Sequence, residues 1–176
     1  MKEKKEKKEN SALHDFLIYA TIIIVVILIR TFLITPVKVT GTSMDDTLSD
    51  GEIMILNKIT YKKNNIKRFD IVVVKEGNSR IIKRVIGLPK ESLEYKNNIL
   101  YINNKETKEP YTRKETNDFN ITSLGYKTIP DKCYIVMGDN RTVSYDSREL
   151  GCIREKDILG KANLVIFPFT KIGYKK

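Results

Sequence analysis

The sequence predicts a mostly β domain, barrel-like or sandwich-like, exported behind one N-terminal transmembrane helix. Three observations carry that expectation. One long apolar run stands near the N-terminus, the rest of the chain is short β-branched runs cut by turn signals, and no later window offers an amphipathic helix.

Residues 1–15 form the expected cytoplasmic tail. It begins MKEKKEKKE, five lysines with three glutamates and nothing apolar beyond Met1, so it reads as solvated and disordered. The segment LHDFLIYATIIIVVILIRTFLITP follows. Residues 16–35, Phe16 to Thr35, would make about 30 Å of helix at 1.5 Å per residue, the depth of a bilayer core. Arg30 is the one charge inside it and lies near its end, where a long side chain reaches the headgroups. A buried core helix would show a polar stripe, and Ile22 to Ile29 has none; a cleaved leader would end in an A-x-A-like site, and LIRTFLITP has none. The reading is an uncleaved single-pass anchor in the cytoplasmic membrane, with the lysine-rich tail inside and the remainder outside.

Residues 36–176 are then one extracytoplasmic domain. Its runs VKVT, EIMILNKI, DIVVVKE, RIIKRVIG, NILYINN, CYIVMG and ANLVIF read as strands, separated by the turns SDG, EGN, GLP, NN, PDK and GDN. About residues 91–130 are richer in Asn, Lys, Thr and Glu and read as a small peripheral β insertion. Within it ILYI-NN-KET is an expected hairpin, since asparagine suits left-handed turn positions. The chain carries a formal charge of +10, most of it beyond the anchor. That excess fits either a lysine-covered surface or contact with anionic lipid or envelope polymer, and an exported domain excludes nucleic acid as a partner.

Composition limits the chemistry sharply. The one histidine, His14, precedes the apolar run, so the exported domain has none. This excludes Ser-His-Asp and Cys-His catalysis and histidine-ligated zinc, and two cysteines are too few for a Cys-rich metal site. Neither metal nor cofactor is expected. A nucleophilic serine would need a lysine, a carboxylate or the chain terminus as its base.

The stretch GTSMDDTL places Ser43 just outside the anchor. The run RIIKRVIGLP places Lys83 in an apolar strand; by alternation Ile81, Lys83 and Val85 share one face and Ile82, Arg84 and Ile86 the other. Apolar neighbours disfavour an ammonium, which is what a basic, neutral lysine requires. Spacing alone equally allows Lys83 to reach water from a strand edge. A third segment, MGDNRTVSYDSRELG, places Asp139, Arg141, Asp146 and Arg148 on either side of Ser144.

In this order behind one anchor, LIRTFLITPVKVTGTSMDDTLSDGE, RIIKRVIGLP and MGDNRTVSYDSRELG resemble bacterial type I signal peptidase, and the likeness extends through GKANLVIFPF. The resemblance implies a membrane-anchored endopeptidase that removes signal peptides from secretory preproteins, cutting after a small residue at −1 with another at −3. It implies Ser43 as nucleophile and Lys83 as general base, with the Ser43 backbone N–H as oxyanion donor. The hydroxyl that many relatives carry two residues earlier is replaced here by Gly41. Ser144 is expected to hydrogen-bond the lysine amine, Asp146 to pair with Arg148, and Asp139 and Arg141 to hold the turn. Val39, Met44, Leu48, Ile81 and Ile82 match positions that line the small-residue pockets, and a bound substrate would extend exposed strand edges. The partners implied are preproteins and the lipid bilayer; no oligomeric state is implied.

The chain departs from the family at three places: Asp46 stands where proline is usual, Lys90-Glu91 where Gly-Asp is usual, and Thr142 where an acid is frequent. Cys133 and Cys152 flank the GDNR–DSR segment and fit either a disulfide in an oxidising compartment or two buried thiols. Two other readings remain at this stage. One is a peptidase with the same dyad and a dedicated substrate; the other is a non-catalytic basic ectodomain that binds envelope polymer.

Overall fold

The computed structural model describes residues 14–28, 34–58 and 66–175. A helix, α1, covers residues 14–28, and its apolar side chains from Phe16 to Leu28 are exposed. Ile22 to Leu28 are seven consecutive exposed apolar residues, enough to wrap all faces of a helix. Among the described residues no helix is long and apolar enough to cross a membrane. The expected span extends through residues 29–33, Arg30 among them, which lie outside the described residues.

The domain is mostly β. Eight strands form the main sheet: β1 (Ile34–Lys38), β2 (Ile53–Asn57), β3 (Ile71–Glu76), β4 (Ser79–Gly87), β9 (Cys133–Met137), β10 (Ile153–Arg154), β11 (Ile158–Phe167) and β12 (Gly173–Tyr174). Their order is β1-β2-β11-β3-β4-β9-β10, with β12 on β11, and the described pairings are antiparallel. The long β11 inserts between β2 and β3, which puts the two halves of the domain into one ladder.

Burial explains the unbroken apolar runs. Ile71 and Val73 of β3 face a cluster with Val39, Met44, Leu48, Met54 and Leu56. Val72 and Val74 face the opposite cluster with Val85, Val136 and Ile158. Both faces of the strand are covered, so alternation in direction produces no alternation in polarity. Each of these fully buried side chains contributes roughly 1.5–3 kcal/mol.

A second sheet contains β5 (Leu93–Lys96), β6 (Ile99–Ile102), β7 (Lys105–Glu106) and β8 (Phe119–Asn120), in the order β7-β6-β5-β8. Asn97 and Asn98 turn β5 into β6, and Asn103 and Asn104 turn β6 into β7, all four with positive φ. Paired positive φ values are the hairpin geometry that asparagine tolerates. Leu93, Tyr95, Leu100 and Ile102 pack with Ile86, Ile135 and Met137 of the main sheet. Gly87 permits the approach, since a Cβ there would lie 2.4 Å from Ile129 Cδ1.

The sandwich-like part of the expected architecture is present locally, but no closed barrel forms among the described residues. The sheet runs open from β1 at one edge to β10 at the other. β10 has two residues, too few to carry a ladder round to β1, and the second sheet covers the face of β4 and β9 that closure would enclose.

A disulfide joins Cys133, at the start of β9, to Cys152, nineteen residues on. It closes the segment holding residues 138–148 and the short helix α2 (Ser147–Leu150). Loop-closure entropy for a ring of that size stabilises the fold by about 3 kcal/mol. Replacing both cysteines with alanine is therefore expected to lower the thermal midpoint by roughly 6–12 °C. A differential scanning calorimetry trace unchanged by the double substitution would contradict the bracing role.

Candidate active site

The chain leaves β1 and turns back into β2 through residues 39–52, and Ser43 lies at the top of that turn. The turn is pinned from below: Met44 and Leu48 are buried in the same cluster as Val39, and the Leu48 N–H donates to the Met44 carbonyl at 2.8 Å. Gly41 has φ +86, and its N–H donates to Asp50 Oδ1 at 2.8 Å. Ser43 itself is half-buried.

Lys83 comes from β4, opposite Val72 of β3, at the level where β9 ends and Gly138 begins. Its side chain crosses to the serine, with Nζ 2.7 Å from Ser43 Oγ. The residue is only 3 % exposed. Burial pushes its amine below the usual lysine range; Asp146 opposes this, Arg148 adds to it, and Asp139 and Glu149 oppose it further. The apolar flanks of RIIKRVIG thus coincide with a buried lysine, and forty residues of sequence separate the two partners.

The turn after β9 supports both. The Gly138 N–H donates to Asp146 Oδ2 at 3.0 Å and to Ser144 Oγ at 3.1 Å. A Cβ on Gly138 would lie 2.3 Å from the Ser43 carbonyl oxygen and from Ser144 Oγ, so only glycine fits. The Asn140 N–H donates to the Ser43 carbonyl at 3.0 Å, and Asn140 Nδ2 to the Thr42 carbonyl at 3.1 Å. This turn holds the serine by its backbone.

The four charges are all paired in buried or half-buried contacts. Asp146 does meet Arg148, whose Nε donates to Oδ1 at 2.9 Å, and Asp146 also caps α2 in a capping box with Glu149. Asp139 is bound by Arg84, which donates from Nε at 2.8 Å and from Nη2 at 2.6 Å in a fully buried fork. Arg141 pairs with Glu109 at 2.7 Å and donates Nε to the Gly138 carbonyl at 2.9 Å. The bond expected between Ser144 and the Lys83 amine is not formed among the described residues, because Ser144 Oγ faces the Gly138 N–H instead.

Arg84 and Glu109 are therefore site residues that the sequence reading did not single out. Arg84 carries a signal, being a second charge in an apolar strand. Glu109 carries none, since it lies among many polar residues of the peripheral segment. Of the expected pocket residues, Val39, Met44, Leu48 and Ile82 pack in one cluster beneath Ser43, while Ile81 packs with the opposite one.

The three departures from the family pattern are absorbed locally. Glu91 accepts from the Leu88 N–H at 2.7 Å and from Arg68 at 2.5 Å. Thr142 is exposed and donates to Asn140 Oδ1 at 3.1 Å. Asp46 has φ +78, which proline, fixed near −65°, does not reach. Asp46→Pro is accordingly expected to lower the unfolding temperature, whereas Asp46→Gly stays within about 1 kcal/mol of the parent. A proline variant that melts with the parent would show that this turn does not need its left-handed residue.

The protein-family model described as "Signal peptidase, peptidase S26" matches residues 13–167. The chain is 41% identical to Signal peptidase I P of Bacillus subtilis subsp. natto, over 99% of both chains. It is 36% identical to Signal peptidase IB of Staphylococcus aureus strain MRSA252, over 88% of this chain and 89% of the relative. Among solved structures, a signal peptidase I from Enterococcus faecalis V583 aligns with TM-score 0.50 and 33% identity, over 55% of this chain and 95% of that one.

Proposed function

The chain belongs to the signal peptidase family, peptidase S26, serine endopeptidases that remove signal peptides from preproteins, and on that premise we propose that Ser43 and Lys83 perform the cleavage. The contact of 2.7 Å between a buried lysine amine and a serine hydroxyl is the observation that carries this reading. In the active form Lys83 is neutral and accepts the proton of Ser43 as Oγ attacks the scissile carbonyl. The ammonium so formed returns that proton to the leaving amine. Water, deprotonated by the same lysine, then releases the acyl group from Ser43.

The oxyanion of each tetrahedral intermediate needs fixed donors. The Ser43 N–H is assigned that task. Its carbonyl is already tied to the Asn140 N–H, which fixes the plane of the peptide unit that follows the serine and holds the turn in place. With Gly41 two residues earlier, no side-chain hydroxyl is available from that position.

The substrate is a preprotein in extended form. β1 pairs with β2 alone, and β9 covers β4 only from Arg84 onward, so both strands keep an open edge near Ser43 among the described residues. A substrate strand between these edges gains backbone hydrogen bonds without sequence demands. Selectivity for small side chains at −1 and −3 is assigned to the buried cluster of Val39, Met44, Leu48 and Ile82, which supplies an apolar wall beside Ser43. Helix α1, apolar on all faces, belongs to the anchor that keeps the domain at the outer face of the cytoplasmic membrane.

Ser43→Ala is expected to reduce cleavage of a preprotein in detergent to background, and Lys83→Ala to lower it by roughly 10²–10⁴-fold. The parent rate should rise with pH through the depressed lysine pKa and then level off, because only the neutral amine accepts the proton. A rate that stays flat down to pH values typical of carboxylates would argue against a lysine base.

Stability should move in the same direction with pH. The folded state holds the Lys83 proton less tightly than the unfolded chain, so its contribution rises with pH up to the ordinary lysine value and is a cost at neutrality. Lys83→Met is thus expected to abolish cleavage while raising the thermal midpoint at pH 7. A melt at lower temperature than the parent's would contradict that sign.

A further inference from the structure

We propose that Glu109 is a positioning residue for the cleavage reaction, acting from the segment between β7 and β8 through Arg141 on the turn that holds the Ser43 backbone. The inference rests on the peptidase reading of Ser43 and Lys83 and adds a residue that touches neither of them.

Glu109 lies between β7 and β8, and its side chain is 5% exposed. Oε1 accepts from Tyr95 at 2.7 Å, from Tyr111 at 2.5 Å and from Arg141 at 2.7 Å, while Oε2 accepts from Arg113. A carboxylate meeting four donors has its acceptor sites committed. Burial pushes its carboxyl up, but Arg141 and the hydrogen bonds from the two tyrosines outweigh that and hold it below the usual range. It is charged at neutral pH.

Arg141 has no exposed side-chain surface. It spends Nη1 on Thr116 and Nε on the Gly138 carbonyl. Gly138 has no clearance against Ser43, and Asn140, between the two, holds the carbonyls of Ser43 and Thr42. The path from Glu109 to the serine is thus a run of hydrogen bonds through one buried cation and one turn. Stability alone gives little reason for it, because apolar packing in place of a buried ion pair is frequently as stable. What the pair supplies is direction: it fixes where the Gly138 carbonyl points. Without the carboxylate, the buried guanidinium would turn towards water and draw that carbonyl with it. Serine displacements well under 1 Å would follow, and misplacement on that scale lowers turnover markedly.

The test uses the full chain in detergent with a preprotein substrate, each rate divided by the folded fraction from circular dichroism. Glu109→Gln is expected to lower kcat about 10- to 100-fold with KM within about twofold of the parent. The low-pH limb of the rate profile should stay in place, since the charges that face Lys83 are Asp146, Arg148, Asp139 and Glu149. The double variant Glu109→Gln/Arg141→Met removes both buried charges together and serves if the single variant fails to fold; it should show the same kcat loss. A kcat per folded molecule within about twofold of the parent, in either variant, overturns the proposal and reduces Glu109 to scaffolding. A shifted low-pH limb overturns the route through the serine. If the parent itself does not cleave, the peptidase reading fails first and this proposal falls with it.

Discussion

The Lys83 amine ends 2.7 Å from Ser43 Oγ with 3% of the residue exposed, and the proposed chemistry requires the rest of the site to let that buried amine lose its proton. Three carboxylates stand close enough to raise its pKa, and Asp146 and Asp139 act more strongly than Glu149. Left free, either aspartate would stabilise the ammonium and remove the base. Each is committed to an arginine, Asp139 to Arg84 and Asp146 to Arg148. The acids are therefore screened by cations of their own, and Arg148 itself disfavours a second positive charge on Lys83. Burial then decides the outcome.

Those arginines also shape the backbone. Arg84 reaches from the strand of the lysine to the turn after β9, and its guanidinium lies 3.8 Å from the centre of the Tyr111 ring. Tyr111 donates to Glu109 and accepts from Arg141. The two buried ion pairs, Arg84 with Asp139 and Arg141 with Glu109, thus meet at one aromatic ring from the segment between β7 and β8. The Cys133–Cys152 bond closes the same region from the opposite end. Asp146, Ser144 and Gly138 are then held by sheet, disulfide and the segment between β7 and β8 together, with little freedom to drift away from the serine. The cost is a set of buried charges that a purely structural domain would not need.

Much of this was readable from the residues alone. β-Branched runs between turn signals mark the strands, and Asn103-Asn104 mark the expected hairpin, with positive φ as that chemistry requires; Asn97-Asn98 make a second one by the same chemistry. The absence of histidine beyond His14 directs attention to lysine; the apolar flanks of Lys83 left it one candidate, and the resemblance of RIIKRVIGLP to signal peptidase singled it out. What stayed hidden depends on contacts between distant segments. The strand period says nothing about β11 lying between β2 and β3, nor about whether the sheet edges meet, so an open sheet and a closed barrel look alike in sequence. The partners of Asp139 and Arg141 stayed hidden for the same reason: Arg84 arrives from β4 and Glu109 from the segment between β7 and β8, both far away in sequence. For Ser144 the hydrogen bond found among the described residues is the one its oxygen accepts from the Gly138 N–H, a backbone contact that no sequence pattern announces.

The most direct measurement of the central claim is the protonation of Lys83 itself. A carbon-13 label at lysine Cε, with the Lys83→Met protein to identify the resonance, would follow that one amine through a pH titration in micelles. The account predicts a midpoint clearly below the ordinary lysine value of 10.5, separated from the exposed lysines of the same molecule. A Lys83 midpoint at or above 10.5 would contradict it, since the amine would then hold its proton at every pH where a membrane enzyme works.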